Sequence, residues 1–472
     1  MFSTDIIVIG SGLGGLEVAL NMARQGMKVL VLERQKQAGG CMQSYRRGAM
    51  HLDTGLHYIG GLQEGSLFRQ EFEKLGLAQL PWKQMDTDNF EEIHVNNHIY
   101  RWPQGIEQFI QAMKEYFPHE SEGLDKYQIL LTSNDDVWMQ QTNAWEYLND
   151  IISNPTLIQV LSAPCLCKMD LNSATLPLFT FVHGTTPYIQ NSWRLASAGN
   201  TLVEKLVNQI RSLGGEIICN KEVVQLEEVD GHICQAMCSD GSKYSAKCFV
   251  SNAHPCVTYQ LLYTSNFSQK TFWRRLNMLP NTNGIFTLHL QIHEQALKYF
   301  NHNKIILPTG NCWNSSIQDD NQVKGIMISA HQPTTGQWVS NIDILTPMSW
   351  KCVAQYENSH PLHRPLEYIQ LKEDISNQCL DIAETAISGL RSMIKAQWSS
   401  SPLTYLNYNL TPQGSAFGYS KDYSDPLSTI ISPRTNINNL FLTGQSLMLH
   451  GVQGVTMTAA HTCQEINRYL NL

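Results

Sequence analysis

The feature that most constrains this chain lies at its start, where an apolar run leads directly into a glycine-rich turn. Residues 5–10 (DIIVIG) predict a buried parallel strand, and apolar residues then recur at helical spacing over residues 13–23. Residues 27–33 (MKVLVLE) predict a second strand. The three segments together predict a βαβ unit, which is the opening of a parallel α/β sheet.

The turn itself has the spacing of a dinucleotide-binding loop. Gly10, Gly12 and Gly15 fit the pattern GxGxxG, with Gly14 between the last two. The first glycine permits a tight turn, the second lets the backbone approach a pyrophosphate, and the third lets the helix pack closely on the strand. Glu33 ends the second strand about 20 residues further along, where a carboxylate accepts hydrogen bonds from a ribose.

The position of this unit and a second glycine pair favour FAD over NAD. Many FAD enzymes carry the unit at the extreme N-terminus and follow the ribose acid with further glycines. Gly39 and Gly40 supply that pair, and glycines here let the chain pass against the phosphates and the riboflavin. We expect Arg34, which follows the acid, to belong to the same site.

Composition excludes several classes of protein. Of the 472 residues, 42% are hydrophobic and 16% are charged, which excludes disorder as the main state. The net charge is −8 and no basic block occurs, so we expect no nucleic-acid partner. The 12 cysteines form no CxxC pair, so we expect no metal site. With neither an export signal nor a membrane span in the sequence, we expect a cytoplasmic protein with reduced thiols.

The order of the segments predicts a discontinuous domain. We expect an α/β fold in which a Rossmann-like FAD-binding domain is assembled from residues 1–90, 195–270 and 400–472. Residues 90–195 and 270–400 would then form an inserted substrate-binding domain, built from helices and a mixed sheet.

Motifs spread along the chain resemble one family. The sequence is similar to the branch of the amine-oxidase-like flavoproteins that contains phytoene desaturases, carotenoid isomerases and retinol saturases. The motifs are DTGLHYIG at 53–60, VVQL at 223–226, VSNAHP at 250–255, LFLTGQ at 440–445 and HGVQGV at 450–455. The family's VSNADP has an aspartate where this chain has His254.

The resemblance implies further FAD-binding residues. Val223 matches the position whose main chain meets the adenine, and Gly55 lies in the segment beside the flavin. Near the C-terminus, Gly444, Gly451 and Gly454 match the second FAD motif. The final helix is predicted from Val455 onward, and its dipole would stabilise a reduced, anionic flavin.

Two residues of the 53–60 segment are candidates for catalysis. His57 and Tyr58 would donate a proton or line the pocket beside the flavin; the alternative is that both side chains are satisfied by the backbone. His254 and His450 are interpreted as structural.

The resemblance implies an FAD-dependent oxidoreductase that acts by hydride transfer on C=C or C–C bonds of an apolar polyene, either a carotenoid or a retinoid. Alternatives are a flavin amine oxidase or a protoporphyrinogen-oxidase-like enzyme, and a non-catalytic flavin- or prenyl-lipid-binding protein. A water-insoluble substrate also suggests a peripheral contact with the inner face of the membrane, for which the apolar residues 151–182 are the candidate; the alternative is that these residues are buried core. The sequence does not indicate an oligomeric state.

Overall fold

The computed structural model describes residues 2–48, 50–262, 271–333 and 336–471. The strands in these ranges are β1 (Phe2–Ile9), β2 (Val29–Leu32), β3 (Ser44–Arg47), β4 (Met50–Asp53), β5 (Ile59–Gly60), β6 (Trp82–Gln84), β7 (Glu91–Val95), β8 (His98–Trp102), β9 (Ser192–Leu195), β10 (Glu216–Ile218), β11 (Val223–Val229), β12 (His232–Cys238), β13 (Lys243–Ser251), β14 (Gly284–Ile292), β15 (Asn303–Leu307), β16 (Ile326–Ala330), β17 (Asn341–Met348), β18 (Ile394–Ser400) and β19 (Leu440–Leu442).

The helices in the same ranges are α1 (Leu13–Arg24), α2 (Leu67–Lys74), α3 (Ile106–Tyr116), α4 (Ser121–Leu131), α5 (Asp136–Gln140), α6 (Ala144–Ile151), α7 (Pro155–Ser162), α8 (Leu178–His183), α9 (Thr186–Gln190), α10 (Asn200–Ser212), α11 (Pro255–Leu261), α12 (Thr271–Met278), α13 (Leu366–Glu384), α14 (Leu390–Met393), α15 (Pro402–Asn409), α16 (Pro426–Thr429) and α17 (Gly451–Leu470).

The first sheet is parallel at its centre and brings together distant parts of the chain. Its parallel strands lie in the order β10, β2, β1, β13 and β19, and β12 and β11 extend it from the first half of β13. The run predicted from residues 5–10 forms β1, in which Ile6, Ile7 and Val8 are completely buried. Both faces of β1 are covered, as a continuous apolar run in a parallel sheet requires.

Two helices cover one face of this sheet. Helices α1 and α17 pack against each other, and Thr456 of α17 donates a hydrogen bond of 2.8 Å to Glu17 of α1. Helix α17 begins at Gly451, four residues earlier than the predicted start at Val455. The N-terminal and C-terminal segments of the chain therefore meet in one layer, as the prediction of a single discontinuous unit requires.

The second sheet is mixed and carries the other layer. Its order is β18, β14, β17, β16, β15, β7 and β8, with one parallel pair, between β15 and β7. One face packs on α13 through alternate residues such as Phe286, Leu288 and Leu290, all completely buried. The other face turns toward the helices α3–α9 and toward the first sheet. The predicted fold class is confirmed; the domain boundaries at 90, 195, 270 and 400 stay a prediction.

Three details differ from the sequence-based expectations. The hairpin β7–β8 joins the second sheet from residues that were not assigned to strands. The amphipathic sequence of residues 366–394 predicts one long helix, but the helix ends at Glu384 and Ile394–Ser400 forms an edge strand. The sequence of residues 105–127 likewise predicts a helix, which is interrupted at Pro118 because proline has no N–H to continue the helical bonding.

The apolar stretch 151–182 is not a surface patch. Its side chains belong to the core between the helices and the second sheet, where Leu157, Leu161 and Leu178 are completely buried. The expectation that this stretch contacts a membrane is therefore wrong, because these helices bury their apolar faces inside the protein. Across the described part of the chain, no helix combines the length and the apolar character that crossing a bilayer demands.

The packing of α1 on β1 depends on Gly15. A Cβ atom at this position would lie 2.2 Å from the carbonyl oxygen of Gly10, which backbone movement alone can relieve. We expect Gly15→Ala to lower the free energy of unfolding by several kcal/mol, as overpacking does. Gly26→Ala is the matched control: it meets no atom within 4 Å and costs only about 1–2 kcal/mol of left-handed backbone strain. Chemical denaturation of both variants measures their free energies of unfolding. Equal losses of stability in the two variants would show that the packing of α1 on β1 does not depend on Gly15.

Candidate active site

A cavity of about 380 Å³ runs along the carboxyl ends of the first sheet and continues to the second sheet. Its walls come from the turn after β1, from residues 33–35 after β2, from residues 40–43, and from residues 443–446 and 451–455 near the C-terminus. This is the edge of a parallel sheet at which ligands bind in open α/β folds. The structure therefore brings together, on one cavity, the segments that the sequence predicted to meet one cofactor.

The turn after β1 is closed against Asn252, which directly follows β13. A Cβ atom at Gly12 would lie 2.5 Å from Asn252 Nδ2, and one at Gly14 would lie 3.0 Å from its Oδ1. Asn252 also donates its backbone N–H to Ile9 with a length of 2.9 Å. Gly10, with a φ of +91°, makes the turn in a conformation that other residues rarely adopt.

Glu33 lies at the end of this cradle and is buried. Its Oε2 accepts hydrogen bonds from the backbone N–H and the hydroxyl of Ser11, at 2.9 and 2.6 Å. Its Oε1 accepts a 2.7 Å bond from the backbone N–H of Gln35. An ionised carboxylate has about four acceptor sites, so these bonds fix its orientation and leave capacity for a ribose hydroxyl.

Most of the other predicted cofactor residues line the same cavity; Gly15 and Gly39 lie beside it without lining it. Arg34 donates a 2.8 Å hydrogen bond to the carbonyl of Asn407, and Val223 lies in the wall at the start of β11. Gly40 packs against Gly12, and Gly39 donates its N–H to Ser11. Gly55 lies beside the main chain of residue 41, and Gly444, Gly451, Gly454 and Val455 lie in the wall near the C-terminus.

Helix α17 presents its N-terminus to this cavity. A Cβ atom at Gly454 would lie 2.5 Å from the carbonyl oxygen of Leu449, so only glycine permits this first turn. Unpaired N–H groups and the helix dipole favour negative charge at such an end. We expect this helix end to attract the electron-rich part of a bound flavin.

Unsatisfied polar atoms in the walls indicate where a ligand belongs. The hydroxyls of Thr443 and Thr411 and the Nε2 of His254 are buried without a partner, and all three residues line the cavity. Buried polar groups are normally paired, so such atoms call for a ligand or a bound water. A glycine cradle, a ribose-binding acid and polar atoms awaiting partners are what FAD requires.

His57 stands in the wall of the cavity with only an eighth of its side chain exposed. Its Nδ1 lies 3.5 Å from Oδ2 of Asp343, which is completely buried on β17. Burial lowers the pKa of His57, and the charge of Asp343 opposes that effect. The residue is therefore neither a surface histidine nor satisfied by the backbone.

Tyr58 is held differently, in a buried charged network. Its hydroxyl donates a 2.5 Å hydrogen bond to Glu91, and the ammonium of Lys168 lies 3.5 Å from the same carboxylate. That ammonium also lies 3.9 Å from the centre of the Tyr188 ring and 4.9 Å from that of Tyr58. Burial and the neighbouring carboxylate raise the pKa of Tyr58 well above its ordinary value, so its proton is committed to Glu91.

The two other histidines of the motifs have structural partners. His254 caps α11 by accepting the N–H of Cys256 on Nδ1, which is the function an aspartate serves at this position. His450 donates a 2.6 Å hydrogen bond to the carbonyl of Lys168, and burial lowers its pKa to about 4. Their interpretation as structural residues agrees with these contacts.

Sequence reasoning missed several residues of the site. Glu91 and Lys168 come from segments without a motif, and only the folded chain pairs them. Asn252 lies inside the recognised VSNAHP motif, but its contact with the glycine turn depends on the pairing of β13 with β1. The alternation of β14 and β17 was a usable signal, because it places His289 and Asp343 on the same face of their strands.

Comparisons with known proteins identify the family. The model of the flavin containing amine oxidoreductases matches residues 13–467. The chain belongs to this family. All-trans-retinol 13,14-reductase of Danio rerio is 23% identical over 99% of this chain and 87% of its own length. The inactive all-trans-retinol 13,14-reductase of the same organism is 22% identical over 95% of this chain and 83% of its own, and prolycopene isomerase of Arabidopsis thaliana is 23% identical over 67% and 57%.

Solved structures share the fold at low identity. An oxidoreductase from Methanosarcina mazei superposes with a TM-score of 0.67 and 14% identity, over 98% of this chain and 100% of its own. Putrescine oxidase bound to putrescine gives a TM-score of 0.66 and 11% identity, over 99% of both chains. Family and fold together establish an FAD-dependent oxidoreductase.

FAD retention tests the position of the pyrophosphate. We expect the protein to purify yellow and to release FAD rather than FMN on denaturation. Gly12→Val should abolish retention, because its side chain collides with Asn252 and fills the space beside the turn. Gly65→Val, at an exposed turn with no atom within 4 Å, is the control for a new valine outside the cavity; its φ of +81° imposes a backbone strain that Gly12, at −62°, does not incur. Absorbance at flavin wavelengths reports retention, and full FAD in the Gly12→Val protein would place the pyrophosphate elsewhere.

Proposed function

We propose that this protein transfers hydride to or from C=C or C–C bonds of an apolar polyene, such as a retinoid or a carotenoid. The observation that carries the proposal is the floor of the cavity beyond the glycine cradle. Ile285, Met327 and Leu345 come from the adjacent strands β14, β16 and β17 and form an aliphatic surface on the second sheet. A flat aliphatic floor suits an extended hydrocarbon and offers no partner for a polar substrate.

Lys168 argues against a cationic amine as the substrate. Its ammonium lies in the cavity wall between the rings of Tyr58 and Tyr188, where a substrate ammonium would otherwise find aromatic faces. Two like charges in a poorly solvated space repel each other strongly. The fold shared with putrescine oxidase therefore does not imply the same class of substrate.

The relatives support the polyene and keep one alternative open. Retinol reductase and prolycopene isomerase are named for apolar polyenes. One relative of comparable similarity is named as inactive, so kinship alone does not establish turnover here. A non-catalytic flavin-binding protein is the second candidate, and measured turnover separates the two.

In the proposed mechanism, bound FAD supplies the hydride chemistry and the protein supplies position, dryness and a proton. The aliphatic floor aligns the chain of the substrate and excludes water from the reacting carbons. Tyr58 and Lys168 are fixed on Glu91 and shape the wall. His57 holds or accepts the proton that accompanies the hydride, because a hydride without a proton leaves a stranded charge in an apolar cavity.

The direct test uses the FAD-loaded protein without oxygen. Reduction and reoxidation of its flavin are followed by absorbance against a panel of retinoids, carotenoids and primary amines. We expect a response to at least one polyene and none to the amines. A response to amines alone would identify an amine oxidase, and no response to any polyene would favour the non-catalytic alternative.

Substitution of His57 tests the proton. We expect His57→Gln to retain FAD and to slow polyene turnover by roughly 10²–10⁴-fold, which is the usual contribution of a general acid or base. Tyr58→Phe is the control, since the tyrosine hydroxyl is bound to Glu91 rather than free. Parental turnover in His57→Gln would return this residue to a structural role.

The pH profile of turnover distinguishes the two directions of reaction. The pKa of His57 is lowered by burial, so its titration falls below about 6.5. If His57 donates the proton during reduction, the rate is highest below this pKa and falls as the pH rises through it. If His57 accepts the proton during desaturation, the rate rises over the same range. In His57→Gln either dependence should disappear.

A peripheral membrane contact remains part of the proposal, without residues 151–182 as its site. An insoluble substrate has to come from a bilayer or a carrier. Flotation of the full chain with vesicles that contain or lack polyene measures the contact, and complete absence of binding in both cases would count against it.

A further inference from the structure

A second cavity lies next to the first. It measures about 490 Å³ and its walls carry polar side chains from several elements. His51 and Ser340, both exposed, mark where it reaches the surface. Deeper in, it is lined by Asp53, Arg194 and His331. These residues favour water as the content of the second cavity.

His57 is the one described residue that lines both cavities. The neighbour before it, Leu56, belongs to the second cavity, and Tyr58 belongs to the first. The imidazole therefore forms part of the wall that separates the polar cavity from the cavity of the cofactor. No hydrogen bond joins its Nε2 to another residue of the described ranges.

One face of the second sheet leads from one cavity toward the other. On β17, Asp343 lies two residues before Leu345 and therefore on the same face. On the neighbouring β16, Met327 and Ser329 lie on this face too, and His331 continues the alternation just beyond the end of the strand. His289 of β14 lies directly opposite Asp343. The aliphatic floor thus changes within one sheet face into a buried polar cluster.

In this cluster, three histidines surround one carboxylate. His289 Nδ1 lies 2.5 Å from Asp343 Oδ1, His331 Nε2 lies 2.8 Å from Oδ2, and His57 Nδ1 lies 3.5 Å from the same Oδ2. His289 also lies 3.3 Å from the hydroxyl of Tyr45. Within the described ranges, no set of three or more such side chains has the geometry of a metal site.

Charged side chains from several elements act on the histidines and the carboxylate of this cluster. Burial opposes both shifts, yet the two histidines hydrogen-bonded to Asp343 on β17 hold the pKa of its carboxyl well below the ordinary value, and the charges of Asp343 and Asp53 raise the pKa of His331. Arg194 on β9 opposes this at His331. His289 and His331 act against protonation of His57, while Asp53 and Asp343 favour it. The carboxylates of Asp343 and Asp53 therefore favour the protonated form of His331, and Arg194 opposes it.

We propose that the second cavity carries protons between solvent and the reaction site, and that these protons pass through His57. The Asp343–His331 pair are positioning residues that orient the imidazole of His57 and help a proton return to it. The inference rests on the proposed function only for its direction. In reduction, the N–H bond of protonated His57 breaks as a C–H bond forms on the substrate. A solvent proton from the second cavity then restores His57, so one proton is consumed for each C=C reduced.

The experiment removes His331 and leaves His57 in place. His331→Ala opens a space at the second cavity, and His94→Ala is the matched control because His94 also contacts a carboxylate on this sheet, 2.9 Å from Glu92, outside both cavities. In the FAD-loaded full chain we expect His331→Ala to slow polyene reduction roughly 10²-fold at pH 8, and added imidazole to restore the rate. His94→Ala should match the parent.

A second readout needs no substrate. The pH titration of His57 is followed by NMR of ¹³C-labelled histidine, with the signal assigned by its loss in His57→Gln. Because the charge on His331 acts against protonation of His57, its removal should shift the pKa of His57 upward, and His94→Ala should not. If His331→Ala fails to fold, Ala198→Leu narrows the second cavity from another wall and should slow turnover in the same way.

The outcomes separate this inference from the function on which it rests. A folded, FAD-loaded His331→Ala protein with parental turnover and an unshifted His57 titration overturns the proton route. Loss of turnover that imidazole does not relieve, with an unshifted titration, overturns it as well. If the parent reduces no polyene, the proposed function fails, while an upward shift in the titration still supports the coupling of His331 to His57.

Discussion

The contact between the glycine turn and Asn252 is the constraint on which the rest of this structure depends. Gly12, Gly14 and Gly444 all approach the side chain of Asn252 within distances that leave no room for a Cβ atom without movement. Three segments far apart in the chain are thereby brought to one point at the edge of the first sheet. That point also lies in the wall of the cofactor cavity, so the packing that closes the sheet is the packing that shapes the cradle.

From this contact the arrangement of the two sheets follows. Residues after β1, β13 and β19 have to meet, so the chain between them is forced outward as insertions. Those insertions form the second sheet and the helices around it, and they return an apolar face to the open end of the cradle. The cofactor side begins with the local unit β1–α1–β2, whereas the face turned toward the open end of the cradle depends on pairings such as that of β7 with β15, whose residues are far apart in the chain.

This division explains what could be predicted from the sequence. Local signals sufficed for β1, α1 and the glycine turn, because a buried strand, a helical period and a GxGxxG spacing fall within 30 residues of one another. They also located α17 apart from its start, since the glycines at 451 and 454 were interpreted as preceding the helix rather than opening it. The expectation that residues 151–182 contact a membrane was wrong because apolarity alone does not distinguish a surface patch from a core.

The residues of the site fall into the same two groups, those that local motifs predict and those that depend on long-range strand pairing. Glu33 and the glycines of the cradle were available from motifs, but the partners of His57 and Tyr58 were not. Asp343 reaches His57 only because β17 pairs with β14 and places its side chain on the inner face, and a shift of one residue in that register would have turned it to the opposite face. The pairing of the strands decides which carboxylate faces which histidine, and this pairing cannot be predicted from a single sequence.

The alternation of a strand therefore has a chemical consequence here. Every second residue of β17 faces inward, so Leu345 and Asp343 lie on the same surface. Leu345 belongs to the aliphatic floor of the cofactor cavity, and Asp343 lies beside His57. A hydride acceptor needs a dry environment and a proton donor needs a supply of protons, and these demands conflict within one undivided cavity. In the proposed function, two cavities that share one wall resolve the conflict, because the aliphatic floor keeps water from the reacting carbons while His57 also faces the second cavity.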